Sequence, residues 1–204
     1  MPSLLDVREL VVKHRPQLLE AVARYDLFDP EGGDLGSVVQ VGRDNWDKTV
    51  HPSADAETVA LAKRIGSDPR TAWSLKPLEV RSSNDTALFQ LIRIKALKSS
   101  VVVCRPDGTE VGRICLQNAV GRSRLSLDVE GKTLAVMTAT FRRRSFLVVD
   151  QAGGEIAEVE MTSGSAADHV QGKEYTVSIH RDLADPLQSL TAVAVIAADQ
   201  ILYD

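Results

Sequence analysis

Residues 186–204 read PLQSLTAVAVIAADQILYD and include no lysine or arginine. Thirteen consecutive residues between Asp185 and Asp199 carry no charge, and nearly every one from Leu190 to Ala198 is small or aliphatic. A helix apolar on all sides has to be wrapped by protein or by lipid. Thirteen residues at helical rise cover about 20 Å, short of the roughly 30 Å hydrocarbon core of a bilayer. Asp185, Asp199 and Asp204 read as acidic helix ends, and no basic residue flanks the stretch. These features favour a barrel core over a membrane span, and the rest of the chain has to supply the barrel.

Three segments share one turn pattern: Asp29-Pro-Glu-Gly-Gly-Asp-Leu-Gly36, Arg105-Pro-Asp-Gly-Thr-Glu-Val-Gly112 and Asp150-Gln-Ala-Gly-Gly-Glu-Ile-Ala157. Apolar runs precede them at 25–28, 101–104 and 146–149, and others follow at 38–41, 114–116 and 159–161. Gly32, Gly108 and Gly153 supply the positive φ that a tight hairpin demands. The segments therefore read as three copies of one β-hairpin. Further strands are expected over 8–15, over 87–97 (Ile92 and Ile94 alternating with Arg93 and Lys95), over 125–129 with 133–141, and over 174–180. The count is about ten to twelve strands and one terminal helix. The stretch 47–85 differs: residues 54–66 have helical spacing ending at Gly66, and Trp46 and Trp73 flank it, so it reads as a small helical insertion lying on the barrel.

The chain has 204 residues, 44% hydrophobic and 25% charged, the make-up of one globular domain spanning 1–204. Aromatics are only 4%, so Val, Leu, Ile and Ala must build the core. The first residues lack the basic and apolar regions of a signal peptide, and cytoplasmic residence is expected. Cys104 and Cys115 lie in strands on either side of the Asp107-Gly108 turn, where pairing sets Cys104 against about Val111, so buried free thiols are expected. Net charge is −4, yet residues 93–144 carry +7 and the remainder −11. That split predicts a basic face on an acidic body.

Hairpins of the form apolar run, three residues, Gly, acid, aliphatic, Gly, closed by an apolar terminal helix, resemble the tubby C-terminal-like superfamily of tubby domains, phospholipid scramblases and LURP-one-related proteins. Tyr175-Thr-Val-Ser-Ile179, Asp182-Leu183 and 192–204 follow the scramblase ending, and the 25–41 hairpin is similar to the opening of LURP-one-related sequences. The resemblance covers about 8–46 and 86–204. It implies a closed twelve-stranded antiparallel barrel around a central helix. Where scramblases carry acids taken to bind calcium, this chain has Gln171-Gly172-Lys173. The proline-rich arm and palmitoylated cysteines are missing too, so neither calcium binding nor a lipid anchor carries over.

Arg142-Arg143-Arg144 is the sharpest polar feature. With Arg93, Lys95, Arg122 and Arg124 it forms a candidate cradle for an anionic phospholipid or phosphoinositide head group, because guanidinium forks match phosphate oxygens. The plain alternative is a solvated turn that discourages aggregation. Nucleic acid is disfavoured, since no aromatic platform accompanies the arginines and the chain is acidic. His14, His51, His169 and His180 are scattered, with no nucleophile elbow, His-x-x-x-His or phosphate loop, so no catalytic residue is expected. Asp29 and Asp34 read as turn caps rather than cation ligands, and no metal or cofactor is expected. The reading is a non-enzymatic module at the inner face of a membrane, peripheral and without a span. Its rival is an intracellular scaffold that binds protein partners through the 47–85 insertion.

Overall fold

The computed structural model of the chain describes residues 4–16, 23–41, 77–94, 99–118, 122–140, 145–163 and 172–203. Twelve strands run in chain order: β1 (Glu9–Pro16), β2 (Ala23–Phe28), β3 (Asp34–Gln40), β4 (Leu78–Ser82), β5 (Ala87–Ile94) and β6 (Ser100–Cys104). There follow β7 (Glu110–Asn118), β8 (Arg124–Val129), β9 (Lys132–Ala139), β10 (Ser145–Asp150), β11 (Glu155–Ser163) and β12 (Lys173–Ile179). Each strand pairs antiparallel with its chain neighbours, and β1 pairs with β12, so the sheet closes on itself and leaves no edge.

Inside runs the helix α1 (Leu187–Tyr203). Every residue from Ser189 to Ile201 is buried, which accounts for a helix with no polar face. Inward side chains alternate along the strands, such as Tyr25 and Leu27 on β2, Phe89 and Leu91 on β5, and Leu125 and Leu127 on β8. The closed twelve-stranded barrel with its apolar axle is the architecture expected above. Asp199, read there as a helix end, is instead an interior residue, 5% exposed.

The three repeated hairpins agree in detail. Gly32, Gly108 and Gly153 have φ of 86°, 86° and 80°. In each turn the first residue's amide donates to the fifth residue's carbonyl, as Asp29 to Gly33, Arg105 to Thr109 and Asp150 to Gly154, at 2.8–2.9 Å. Each also has a register shift at its mouth, setting Phe28 against Asp34, Cys104 against Glu110, and Val149 against Glu155. A fourth copy joins β4 to β5: Ser82 N donates to Thr86 O, the ladder shifts at Arg81–Ala87, and Asp85 takes the glycine's place at φ 63°.

Two expectations need correction. Residues 78–85, assigned to the insertion, are β4 and this turn, and so belong to the barrel wall. On β5 the inner face is Phe89, Leu91 and Arg93, opposite Leu78, Val101 and Val103, and Ile92 and Ile94 fall on the outer phase. Both phases of that strand are apolar, so alternation alone did not choose between them. The 54–66 helix, Trp46, Trp73, His51 and His169 lie outside the described residues.

The up-and-down path sorts the connections into two groups. The five tight turns, 29–33, 83–86, 105–109, 130–131 and 151–154, share one end with the 180–186 segment that leads into α1. Residues 4–8 close that end from below: Leu4 is in the core, and the Gln188 amide donates to the Leu5 carbonyl. All other connections leave from the opposite end, where α1 also finishes.

Candidate functional site

The connections β5–β6, β7–β8 and β9–β10 are neighbours on the rim of that opposite end, because strands β5 to β10 follow one another around the barrel. In sequence the three hold Lys95, Lys98, Arg122, Arg142, Arg143 and Arg144, and no acid. Arg122 and Arg124 are exposed, Arg124 opening β8 across from Asn118 and Thr138. Lys95, Lys98, Arg142, Arg143 and Arg144 lie outside the described residues. The strand ends that flank them, Ile94 and Ser100, Ala139 and Ser145, belong to the same rim. Arg93 does not share that exposure: it is 8% exposed and on the inner face.

Below this rim the barrel interior turns polar at one place. Asp199 sits among side chains from three adjacent strands, β12, β1 and β2. Lys173 Nζ lies 2.8 Å from Asp199 Oδ1, and the Tyr175 hydroxyl donates to the same oxygen at 2.6 Å. The Tyr25 hydroxyl donates to Oδ2 at 2.9 Å, and His14 Nδ1 lies 3.7 Å from it. The His14 and Tyr25 rings are stacked with centroids 4.7 Å apart. Lys173 and Asp199 side chains are each 4% exposed. A carboxylate in such a place is tolerable only when paired and hydrogen-bonded, and this one is both. The lysine that departs from the scramblase calcium pattern is thus the counter-ion of the central helix.

The sequence carried a signal for this pair. Lys173 is in phase with Tyr175 and Val177 on a strand whose inner face was legible. An acid set in an all-round apolar helix requires a cation at such an inward position.

At the tight-turn end, Asp29 caps its turn by accepting from Gly33 N at 2.6 Å, and Asp34 accepts from Gly36 N at 2.9 Å, as expected of turn caps. Asp150 does the same for Gly154 N and also pairs with Arg181, and the guanidinium holds its carboxyl below the usual range. Both cysteines are free thiols. Burial, then the nearby Asp128 carboxylate, pushes the Cys115 thiol up to about 11. His180 is exposed in the 180–186 segment. No described helix is long and apolar enough to cross a membrane.

No family model matches the chain, and no curated protein matches it. Among solved structures, an X-ray structure of an Arabidopsis thaliana protein overlaps 94% of this chain and 91% of its own at 11% identity, with a TM-score of 0.49.

Proposed function

We propose that this barrel is a non-enzymatic module of the tubby-like, scramblase and LURP-one-related kind, which binds anionic phospholipid or phosphoinositide head groups at a membrane surface. The observation that supports this reading is the rim: three neighbouring connections at one end of the barrel carry six basic residues and no acid. Each basic group held near an anionic surface contributes about 1 kcal/mol, so six add on the order of 6 kcal/mol, enough for reversible attachment. The contact set is Lys95, Arg122, Arg142, Arg143 and Arg144 of these connections together with Arg124, the first residue of β8. Arg93 is buried and falls outside this set.

Co-sedimentation with liposomes of graded anionic content tests it. Binding should rise with anionic lipid, fall between low and moderate salt, and be lost in Arg142→Glu/Arg143→Glu/Arg144→Glu. Absence of binding at every composition removes the reading and shifts the search to protein partners of residues 47–76.

A further inference from the structure

The opposite end of the barrel carries charge of the other sign. Its five tight turns and the 180–186 segment hold seven carboxylates, Asp29, Glu31, Asp85, Asp107, Glu130, Asp182 and Asp185, against two guanidiniums, Arg105 and Arg181. Within this end, a groove of about 880 Å³ opens between the β6–β7 hairpin, the β8–β9 hairpin and the residues that lead into α1. That volume is in the range of sites that take a ligand of several side chains' size.

Six charged side chains line the groove: Arg105, Glu110, Arg113, Asp128, Glu130 and Asp185. Both arginines are already engaged. Arg105 pairs with Asp185, and Arg113 holds Glu110 through two nitrogens at 2.8 and 2.9 Å. Asp128 accepts hydroxyl hydrogens from Ser126 at 2.9 Å and Thr133 at 2.7 Å, which are neutral donors. Among the described residues no ion pair reaches Asp128 or Glu130. Arg113 stands opposite Asp128 in the β7–β8 register, and the six lining charges, four carboxylates and two guanidiniums, sum to −2 inside a concave surface, where low-dielectric walls concentrate the field. The field is felt next door, since Asp128 contributes to the raised pKa of Cys115. Val129 and Pro186 add apolar surface along the walls, which suits the aliphatic stems of long basic side chains.

We propose that this groove is a docking site for a lysine- or arginine-rich segment of a protein partner. Arginine fits the groove best, because its planar fork can engage the Asp128 carboxylate while its stem lies on Val129 and Pro186. The site is independent of the basic rim, at the far end of the barrel from it.

The test is fluorescence anisotropy of a labelled peptide alternating arginine and glycine, against its counterpart with citrulline in place of arginine. The arginine peptide should bind in a salt-sensitive way and the citrulline peptide should not. Asp128→Asn/Glu130→Gln should weaken binding about ten-fold, the equivalent of two rim charges. Glu31→Gln/Glu155→Gln, exposed acids of the same end outside the groove, should leave it within about two-fold. Because Asp128 also bonds Ser126 and Thr133, Glu130→Lys serves as a second variant at an exposed turn and should abolish binding. Equal losses in the two double variants would mean a diffuse field and overturn the groove. Failure to bind the arginine peptide, or full affinity in Glu130→Lys, would overturn it too. Salt-sensitive self-association that the peptide competes away would assign the groove to a second copy of the chain and reject the proposed partner.

Discussion

Lys173 and Asp199 are 26 positions apart and both buried inside the barrel, where each offsets the other's buried charge. Lys173→Met leaves the Asp199 carboxylate with two tyrosine hydroxyls and a histidine but no lysine, and should cost about 3–5 kcal/mol by urea denaturation. Lys173→Met/Asp199→Asn removes both charges, keeps an amide oxygen for the Tyr25 and Tyr175 hydroxyls, and should recover most of that loss. A double variant no more stable than Lys173→Met alone would show that packing, not charge, holds this end of the helix. Cys115 gives a second measurement. Its thiol stays protonated in the folded chain well above its ordinary value of 9.0, toward about 11. Thiol labelling of folded protein at pH 8 should be slow, rise through pH 11, and become fast in urea. The linkage has a definite sign: the thiol ionises first in the unfolded chain, so its contribution is complete below about pH 9 and is lost as pH rises from there toward 11. Asp128→Asn should lower the titration midpoint yet leave it above 9, because burial is the larger cause.

The hairpins define where glycine is needed and where it is not. A Cβ on Gly36 would stand 1.9 Å from the Arg81 carbonyl oxygen, and one on Gly112 would stand 2.5 Å from the Asp128 carbonyl oxygen and 3.0 Å from Leu190 Cδ1. At both positions the obstacle includes the backbone of a neighbouring strand, so Gly36→Ala and Gly112→Ala should each cost about 2 kcal/mol or more in chemical denaturation. The third repeat has Ala157 at the same place, and Ala157→Gly should cost only about 0.5–1 kcal/mol. In the fourth turn Asp85 already holds a left-handed backbone, so Asp85→Gly should be tolerated within about 0.5 kcal/mol despite loss of its exposed pair with Arg81. Three hairpins were legible because glycine, alternation and spacing all agreed. The fourth was not, since Asp85 gives no glycine signal. Leu78-Glu-Val-Arg-Ser82 likewise offers only two apolar residues to mark a strand. Arg93 was misplaced for a different reason: Ile92 and Val102 are buried on the outer phase as Leu91 and Val103 are on the inner one, so period two alone could not orient β5.

Taken as a whole, the barrel gathers acids at its tight turns, while at the opposite end the β5–β6, β7–β8 and β9–β10 connections hold six basic residues and no acid in their sequence. The regional charge imbalance was readable along the chain, but its axial arrangement was not, because it follows from the up-and-down path rather than from any segment. The groove was invisible in sequence for the same reason, being built from two hairpins and the lead into α1. The helix is the most legible element and the one on which the whole depends. A chain stopped at Ala184 would enclose an empty interior, which close-packed proteins do not sustain. It should show no cooperative urea transition, and a sharp two-state unfolding of that truncation would mean the strands pack without their axle.

Closure by β1 against β12 also sets a timetable for a nascent chain. The first strand leaves the ribosome long before its partner exists, and the helix that fills the interior is made after every strand it will touch. At about 5–20 residues per second, the earliest hairpin waits on the order of ten seconds or more for translation to reach Tyr203. Over that interval the inward faces of the strands have nothing to cover them. The protein is therefore expected to depend on co-translational chaperones more than its size alone would indicate, and to be sensitive to ribosomal stalling between β12 and α1.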